Sequence, residues 1–287
     1  MVDIVRVYYW TVKGRRLMST LQDKHRLLQD VLRSYGKVAI AYSGGVDSSL
    51  LSYVAKEALG ANAISLTADA PVVPRGEFAE SRTFCAKFGI RQIVCHVDPL
   101  RENDVRLNVP NRCYICKKII FSTLLEEAAK LGISTIADGS NLDDLGDYRP
   151  GLKALEELQV KSPLREAGFS KADIRALSKE LGLPTWNKQS NACLATRFPY
   201  GSEITIDKLA LVDKAEEMLA GMGFTQLRVR VHDDIARIEV PVAQMDALLS
   251  NENRAAIVGA LNDLGFTYVT LDLAGYRTGS MNEKLSS

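Results

Sequence analysis

The sequence predicts an α/β protein: a doubly wound parallel sheet with a small C-terminal α+β domain. Three observations carry this. From residue 37, short apolar runs alternate with segments of helical spacing. A glycine-rich turn joins the first run to the first of those helices. From about residue 203 the order changes to helix, strand, strand, helix, strand. The 287 residues are 46% hydrophobic and 25% charged, enough for two folded units and unlike a disordered or fibrous chain.

Taken in order, KVAIAY (37–42) is a short apolar run, read as a buried parallel strand. SGGVDS is a tight turn, and residues 48–59 have helical spacing. Residues 62–67 form the second strand, 77–88 a helix and 91–97 the third strand. Residues 98–113 read as a long polar loop, a length that within a compact domain points to function. A helix over 114–132 ends at Gly132, and 133–139 is the fourth strand. Residues 140–153 read as a polar loop and VKSPL (160–164) as a fifth strand. Ser170 and Asp173 form a capping box that opens the next helix, which Pro184 stops. Residues 185–204 are irregular. In the last part, 206–222 is a helix, 226–232 and 236–241 are antiparallel strands across Asp233-Asp234, 251–264 is a helix and 266–273 a strand. The expected division is an extension over 1–19, a nucleotide domain over 20–202 and a small domain over 203–287. Met18 opens a more conventional start than Met1, so translation is expected to begin there and leave residues 1–17 as a loose extension.

Lys+Arg number 36 and Asp+Glu 35, a net charge of +1. This speaks against coating nucleic acid or an anionic membrane, and no nucleic-acid partner is expected. No apolar run reaches membrane-spanning length. Five unevenly spread cysteines suggest no disulfide framework, so a reducing, cytoplasmic setting is expected.

The strongest motif is Ser43-Gly44-Gly45-Val46-Asp47-Ser48, after a strand and before a helix. Gly44 and Gly45 permit a tight turn and close approach of a ligand. The amides with the helix N-terminus behind them form an anion site, and Ser43 and Ser48 add hydroxyls. Asp47 cannot attract phosphate itself and is expected to hold Mg²⁺. The loop lacks the lysine of a Walker loop, which disfavours γ-phosphoryl transfer. It resembles the SGGxDS loop of the N-type ATP pyrophosphatases. That resemblance implies that ATP is attacked at its α-phosphate to give an adenylate and pyrophosphate.

Cys113 and Cys116 form a C-x-x-C at the start of a helix, and Cys193 lies far away in sequence. Both segments follow strands of the same sheet on its ligand-binding side, so the three thiols can converge. A thiol–disulfide couple, a zinc site and a three-cysteine [4Fe–4S] cluster all suit such a set. Zinc wants a fourth ligand, and His25, His96 and His232 have no ligand spacing. Cys85 and Cys95 read as core.

Together, SGGVDSSLL, the R-C-Y-x-C-K-K segment, Asp138-Gly139-Ser140-Asn141 with Asp143-Asp144, Asp147-Tyr148-Arg149-Pro150-Gly151 and Arg197-Phe198-Pro199-Tyr200-Gly201 resemble the LarE-type sulfurtransferases, from about residue 20 to the C-terminus. The resemblance implies a Rossmann-like, adenine nucleotide alpha hydrolase-type fold. It implies adenylation of the carboxylates of pyridinium-3,5-biscarboxylic acid mononucleotide, then replacement of AMP by sulfur. The product belongs to the nickel-pincer cofactor of lactate racemase. An upstream carboxylase, a downstream nickel-inserting protein and a homo-oligomer are the partners it implies. Members without the C-x-x-C pair sacrifice the cysteine matching Cys193. This chain carries all three, which implies the form with a [4Fe–4S] cluster on Cys113, Cys116 and Cys193.

The resemblance also implies nucleotide contacts at Thr67, Gly139 and Asn141, and substrate contacts at Asp144, Asp147, Arg149 and Arg197. Arg228 and Arg230 alternate with valines and so share one strand face, beside His232. They are expected to grip the substrate phosphate. Lys117 and Lys118 open a helix where the dipole disfavours cations, and Lys117 is expected to neutralise phosphate. Glu216, Glu239 and Asp246 suggest either an acidic metal site or a solvated surface. The rival functions are tRNA thiolation, an ammonia-using amidotransferase or synthetase, and a nucleotide- or redox-responsive binding protein.

Overall fold

The computed structural model describes residues 11–12, 15–16, 20–146, 150–189 and 192–277. Four parallel strands form the main sheet: β1 (Val38–Ala41), β2 (Ala63–Asp69), β3 (Gln92–His96) and the two-residue β4 (Ile136–Ala137). Their order is β3-β2-β1-β4. Side chains alternate across the sheet, so Val38 and Ile40 face one layer and Ala39 the other.

The first layer is α1 (Leu21–Tyr35), α2 (Val46–Leu59) and α6 (Lys171–Glu180). They bury Leu28, Leu32, Leu51, Val54 and Ile174 against the sheet. The opposite layer is α4 (Arg112–Lys130) with α5 (Pro150–Glu157), packed through Phe121, Leu124 and Leu155. Helix α3 (Arg75–Lys87) completes the first layer through Phe84 and Cys85. Helices on both faces make the sheet doubly wound, as the alternation predicts. Capping boxes fix the starts of α1 (Thr20 with Asp23) and α6 (Ser170 with Asp173).

The C-terminal part folds as α7 (Ile206–Gly221), β5 (Arg228–His232), β6 (Ile235–Glu239), α8 (Asn251–Asp263) and β7 (Tyr268–Leu271). Strands β5 and β6 pair antiparallel across Asp233-Asp234, with Asp233 at φ 55°. Strand β7 joins β6 in parallel. One apolar cluster joins this part to the nucleotide part. It runs from Val72 and Val105 through Leu194, Ala195 and Phe198 to Val212 and Ile238. The turn that carries Cys193 therefore lies between the two.

Several elements differ from expectation. The stretch 98–113 is not a plain loop. Asp98 caps a short turn at Pro99–Arg101, and a single helical turn follows at Asn103–Arg106. Helix α4 starts at Arg112, so both cysteines of the pair lie within it. Part of the expected loop 140–153 is helix α5. The VKSPL strand is reduced to one bridge, Ala137 to Lys161, because Pro163 at once opens a helical turn.

Candidate active site

The phosphate loop follows from the sequence of strand, glycines and helix. Gly44 takes φ 77° and packs against α3, where an added Cβ would sit 3.3 Å from the Ser81 Cβ. Gly45 is the N-cap of α2. Ser43 and Ser48 hydroxyls lie 3.1 Å apart, and the Ser43 amide donates to Ser48 Oγ. Behind the loop, a Cβ on Gly139 would lie 3.0 Å from the Ser48 amide nitrogen and 3.1 Å from the Asp47 Cβ. The end of β4 thus seats directly on the start of α2.

Asp47 pairs with Lys171, the first residue of α6, through Oδ2. Its Oδ1 is buried and has no hydrogen-bond partner among the described residues. The Lys171 amide donates to Asp143 Oδ2 at 2.6 Å. Asn141 and Asp144 close the turn beside it: the Asn141 amide donates to Asp144 Oδ2 at 2.9 Å. The Asp143 amide in turn donates to Asn141 Oδ1 at 3.0 Å. Asp138 accepts from Ser162 at 2.8 Å and from Ser140. Lys188 donates to the Gly44 carbonyl at 3.1 Å and to Glu80 at 2.7 Å. The fold brings Gly44, Gly45, Asp47, Ser48, Gly139 and Asn141 together. Lys171 and Lys188 are additions. Lys171 carried a readable signal, a cation at a helix start where the dipole opposes it.

A cavity of about 240 Å³ opens beside Ser43. Tyr42, Leu66, Val72, Phe78 and Phe121 give it apolar walls, and Thr67 lies in its floor, accepting from Gln92 at 2.8 Å. Cys193 lines the same cavity. A purine-sized apolar slot, a phosphate loop and a thiol therefore share one space.

The three cysteines are electrostatic neighbours. Burial raises the Cys116 thiol above its ordinary range, and Cys193 and Cys113 push it the same way. Burial likewise raises Cys193, opposed by the Arg112 charge. Among the described residues, no three His, Cys, Asp or Glu side chains stand as a ready metal cage. Cys85 and Cys95 are core, and burial pushes Cys85 up to about 12. Lys117 lies along Gly151, where a Cβ would be 2.6 Å from its Cδ. Lys118 binds Glu157 at 3.0 Å and Tyr114 at 3.2 Å. Asp147 and Arg149 lie outside the described residues.

The arginines are held differently from expectation. Arg197 is 1% exposed. It meets Glu216 through two bonds, at 2.9 and 2.7 Å, and the carbonyls of Ala192 and Cys193 at 2.7 and 3.1 Å. Arg230 forks onto the fully buried Glu239 and donates to the Thr196 carbonyl at 2.6 Å. Arg228 stacks over Tyr276 at 5.2 Å and donates to the Leu227 carbonyl. The acidic metal site suggested for Glu216, Glu239 and Asp246 is overturned, because buried arginines occupy the Glu216 and Glu239 carboxylates. Glu216→Ala should cost about 3–5 kcal/mol, because it strands the Arg197 charge in the interior. Thermal unfolding should show a fall of roughly 10 °C.

A pyridinium-3,5-bisthiocarboxylic acid mononucleotide synthase of Lactiplantibacillus plantarum is 40% identical over 270 residues, 94% of this chain and 97% of that protein. The chain belongs to that synthase family. An uncharacterized protein of Synechocystis is also 40% identical, over 93% of this chain and 99% of its own. The NAD synthase family model matches residues 20–109, which takes in the phosphate loop and stops short of Cys113. A tRNA-specific 2-thiouridylase of Clostridium tetani is 29% identical over 192 residues, 54% of each chain. The match to the synthase covers 94% of the chain, while the family model covers only residues 20–109. No helix among the described residues is long and apolar enough to cross a membrane.

Proposed function

We propose that this chain is an ATP-dependent sulfurtransferase acting on pyridinium-3,5-biscarboxylic acid mononucleotide. The observation that carries the reading is the single cavity bounded by Ser43 of the phosphate loop and by Cys193. A carboxylate resists nucleophiles because its charge repels them and oxide is a poor leaving group. Attack of a carboxylate oxygen on the α-phosphorus of ATP forms the acyl adenylate and expels pyrophosphate. Hydrosulfide sulfur then adds to the activated carbonyl, and AMP leaves with the former carboxylate oxygen. The products are a thiocarboxylate, AMP and a proton.

The chain's own groups serve each step by charge and position rather than by proton transfer. The amides after Gly44 and the Ser43 and Ser48 hydroxyls face the departing pyrophosphate. Lys171 stands beside Asp47 to share that charge. The buried Oδ1 of Asp47, without a hydrogen-bond partner among the described residues, suits a Mg²⁺ ligand, and Mg²⁺ held there would neutralise charge on the phosphates. Cys113, Cys116 and Cys193 suit a [4Fe–4S] cluster: the donors are soft, and the buried Arg112 beside them offsets the anionic charge of thiolates. Such a cluster supplies an open iron able to carry sulfur.

Arg197 and Arg230 act through the Cys193 turn. Their N–H groups hold its carbonyls, and this reading assigns them positioning roles in place of the expected contact with substrate phosphate. Arg228, with Asp144 and Lys117, stays on the substrate side. The substrate is a small molecule made by a carboxylase and passed on for nickel insertion, in the cytoplasm and by a homo-oligomer. Pyrophosphate release that requires the pyridinium dicarboxylate supports the reading. Equal release without it, or with ammonia and a different carboxylate, refutes it.

A further inference from the structure

Arg112 is 2% exposed, and among the described residues no carboxylate pairs with it. A buried guanidinium without a carboxylate is costly unless other groups answer its charge and its donors. Its partners are unusual. One amino group donates to Asn108 Oδ1 at 2.5 Å and to the Ala195 carbonyl at 2.7 Å. The other reaches Cys113 Sγ at 3.7 Å. The guanidinium also lies 5.9 Å from the Tyr200 ring centroid.

Asn108 extends the same device. It is fully buried at φ 53°, a conformation asparagine tolerates. Its side-chain amide donates to the carbonyls of Phe198 and Pro199 at 3.1 and 2.7 Å, and its own carbonyl accepts from the Gly201 amide. Arg112 and Asn108 therefore bind residues 195–201 to the start of α4. The Arg112 side chain touches both sides: Cys113 on the helix, and Ala195 two residues after Cys193.

We propose that Arg112 is a positioning residue that fixes the Cys193 turn against the helix of Cys113 and Cys116. The planar fork matters, because it must serve a carbonyl, an amide oxygen and a sulfur from one place. A lysine keeps the charge and loses that reach. The proposal rests on reading the three cysteines as the sulfur-handling end of the site, but its test involves no adenylation, and Arg112→Lys keeps the charge so that geometry is read apart from thiolate formation. Its failure is therefore distinguishable from a failure of adenylation.

The test uses the full chain, free of bound metal, with Cys116→Ser to leave one pair of neighbours. Dibromobimane joins two nearby thiols as each thiolate displaces a bromide, and peptide mass mapping assigns the bridge. Cys113 and Cys193 should be joined readily in this parent. Arg112→Lys and Arg112→Gln should each lower the yield by roughly tenfold, while the affinity for ATP alone stays unchanged because the phosphate loop is held elsewhere. Having two variants guards against one failing to fold. A yield in both variants equal to the parent, or no bridge in the parent, overturns the proposal. Loss of ATP binding in step with the bridge in both variants also overturns it, by assigning Arg112 to the general fold.

Discussion

Cys193→Ala should abolish thiocarboxylate formation and leave substrate-dependent pyrophosphate release. The expected loss of sulfur transfer is roughly three orders of magnitude or more, the scale seen when a group that bonds to the reacting atoms is removed. The split follows from the geometry. Cys193 lines the cavity, and among the described residues no hydrogen bond joins it to the loop of Ser43–Ser48. Its turn is held by Arg197 on Glu216, by Arg230 on the Thr196 carbonyl and by the Leu194 amide on the Val72 carbonyl. An alanine keeps all of those bonds. Product analysis by mass, beside a pyrophosphate assay, measures the two halves separately. Iron analysis of protein reconstituted without oxygen belongs beside it. About four irons per chain, lost in Cys113→Ala, is the expected result for a thiolate-held cluster. No iron would turn the proposal toward Cys193 as a consumed donor, visible as a loss of sulfur from the protein after turnover.

Gly139→Ala should strike the other half. A Cβ there meets the Ser48 amide nitrogen at 3.0 Å and the Asp47 Cβ at 3.1 Å. Both neighbours are backbone or backbone-near atoms of the helix start, so neither can swing aside. Relief requires the end of β4 and the start of α2 to part, which moves the amides proposed to face pyrophosphate. Overpacking of this kind costs about 1–3 kcal/mol. Expressed on adenylation, the loss is roughly ten- to hundredfold. Steady-state rates with ATP and the pyridinium dicarboxylate check it. Unchanged adenylation would mean that β4 has slack which the packing does not show. Its contrast with Cys193→Ala is informative: one variant impairs pyrophosphate release, the other spares it.

Much of this site is legible in the residues. Glycines at 44 and 45 between an apolar run and a helix give the loop, because backbone freedom and strand periodicity are local properties. Helix α5 was equally within reach: Pro150 at its first position and the spacing of Leu152, Leu155 and Leu158 mark a helix that polar neighbours obscure. The arginines show where local reading stops. Alternation places Arg228 and Arg230 on one face, but not the carboxylates that meet them. Part of the answer lies in the hairpin register. A two-residue turn at Asp233-Asp234 puts Glu239 opposite Arg228 and diagonal to Arg230. Glu216 is different. It comes from α7, and only the packing of that helix on the Cys193 turn brings it to Arg197. Lys171 and Arg112 share this property, since each bonds to a partner distant in sequence, Asp47 and Ala195.

The central claim is that the carboxylate itself attacks ATP at the α-phosphorus and is then displaced by sulfur. Oxygen tracing tests this most directly. The pyridinium dicarboxylate is labelled with ¹⁸O in its carboxylates and turned over with ATP and inorganic sulfide. One labelled oxygen should appear in AMP for each thiocarboxylate formed, with none in pyrophosphate. Unlabelled AMP, or ADP accompanied by labelled phosphate, would contradict the account.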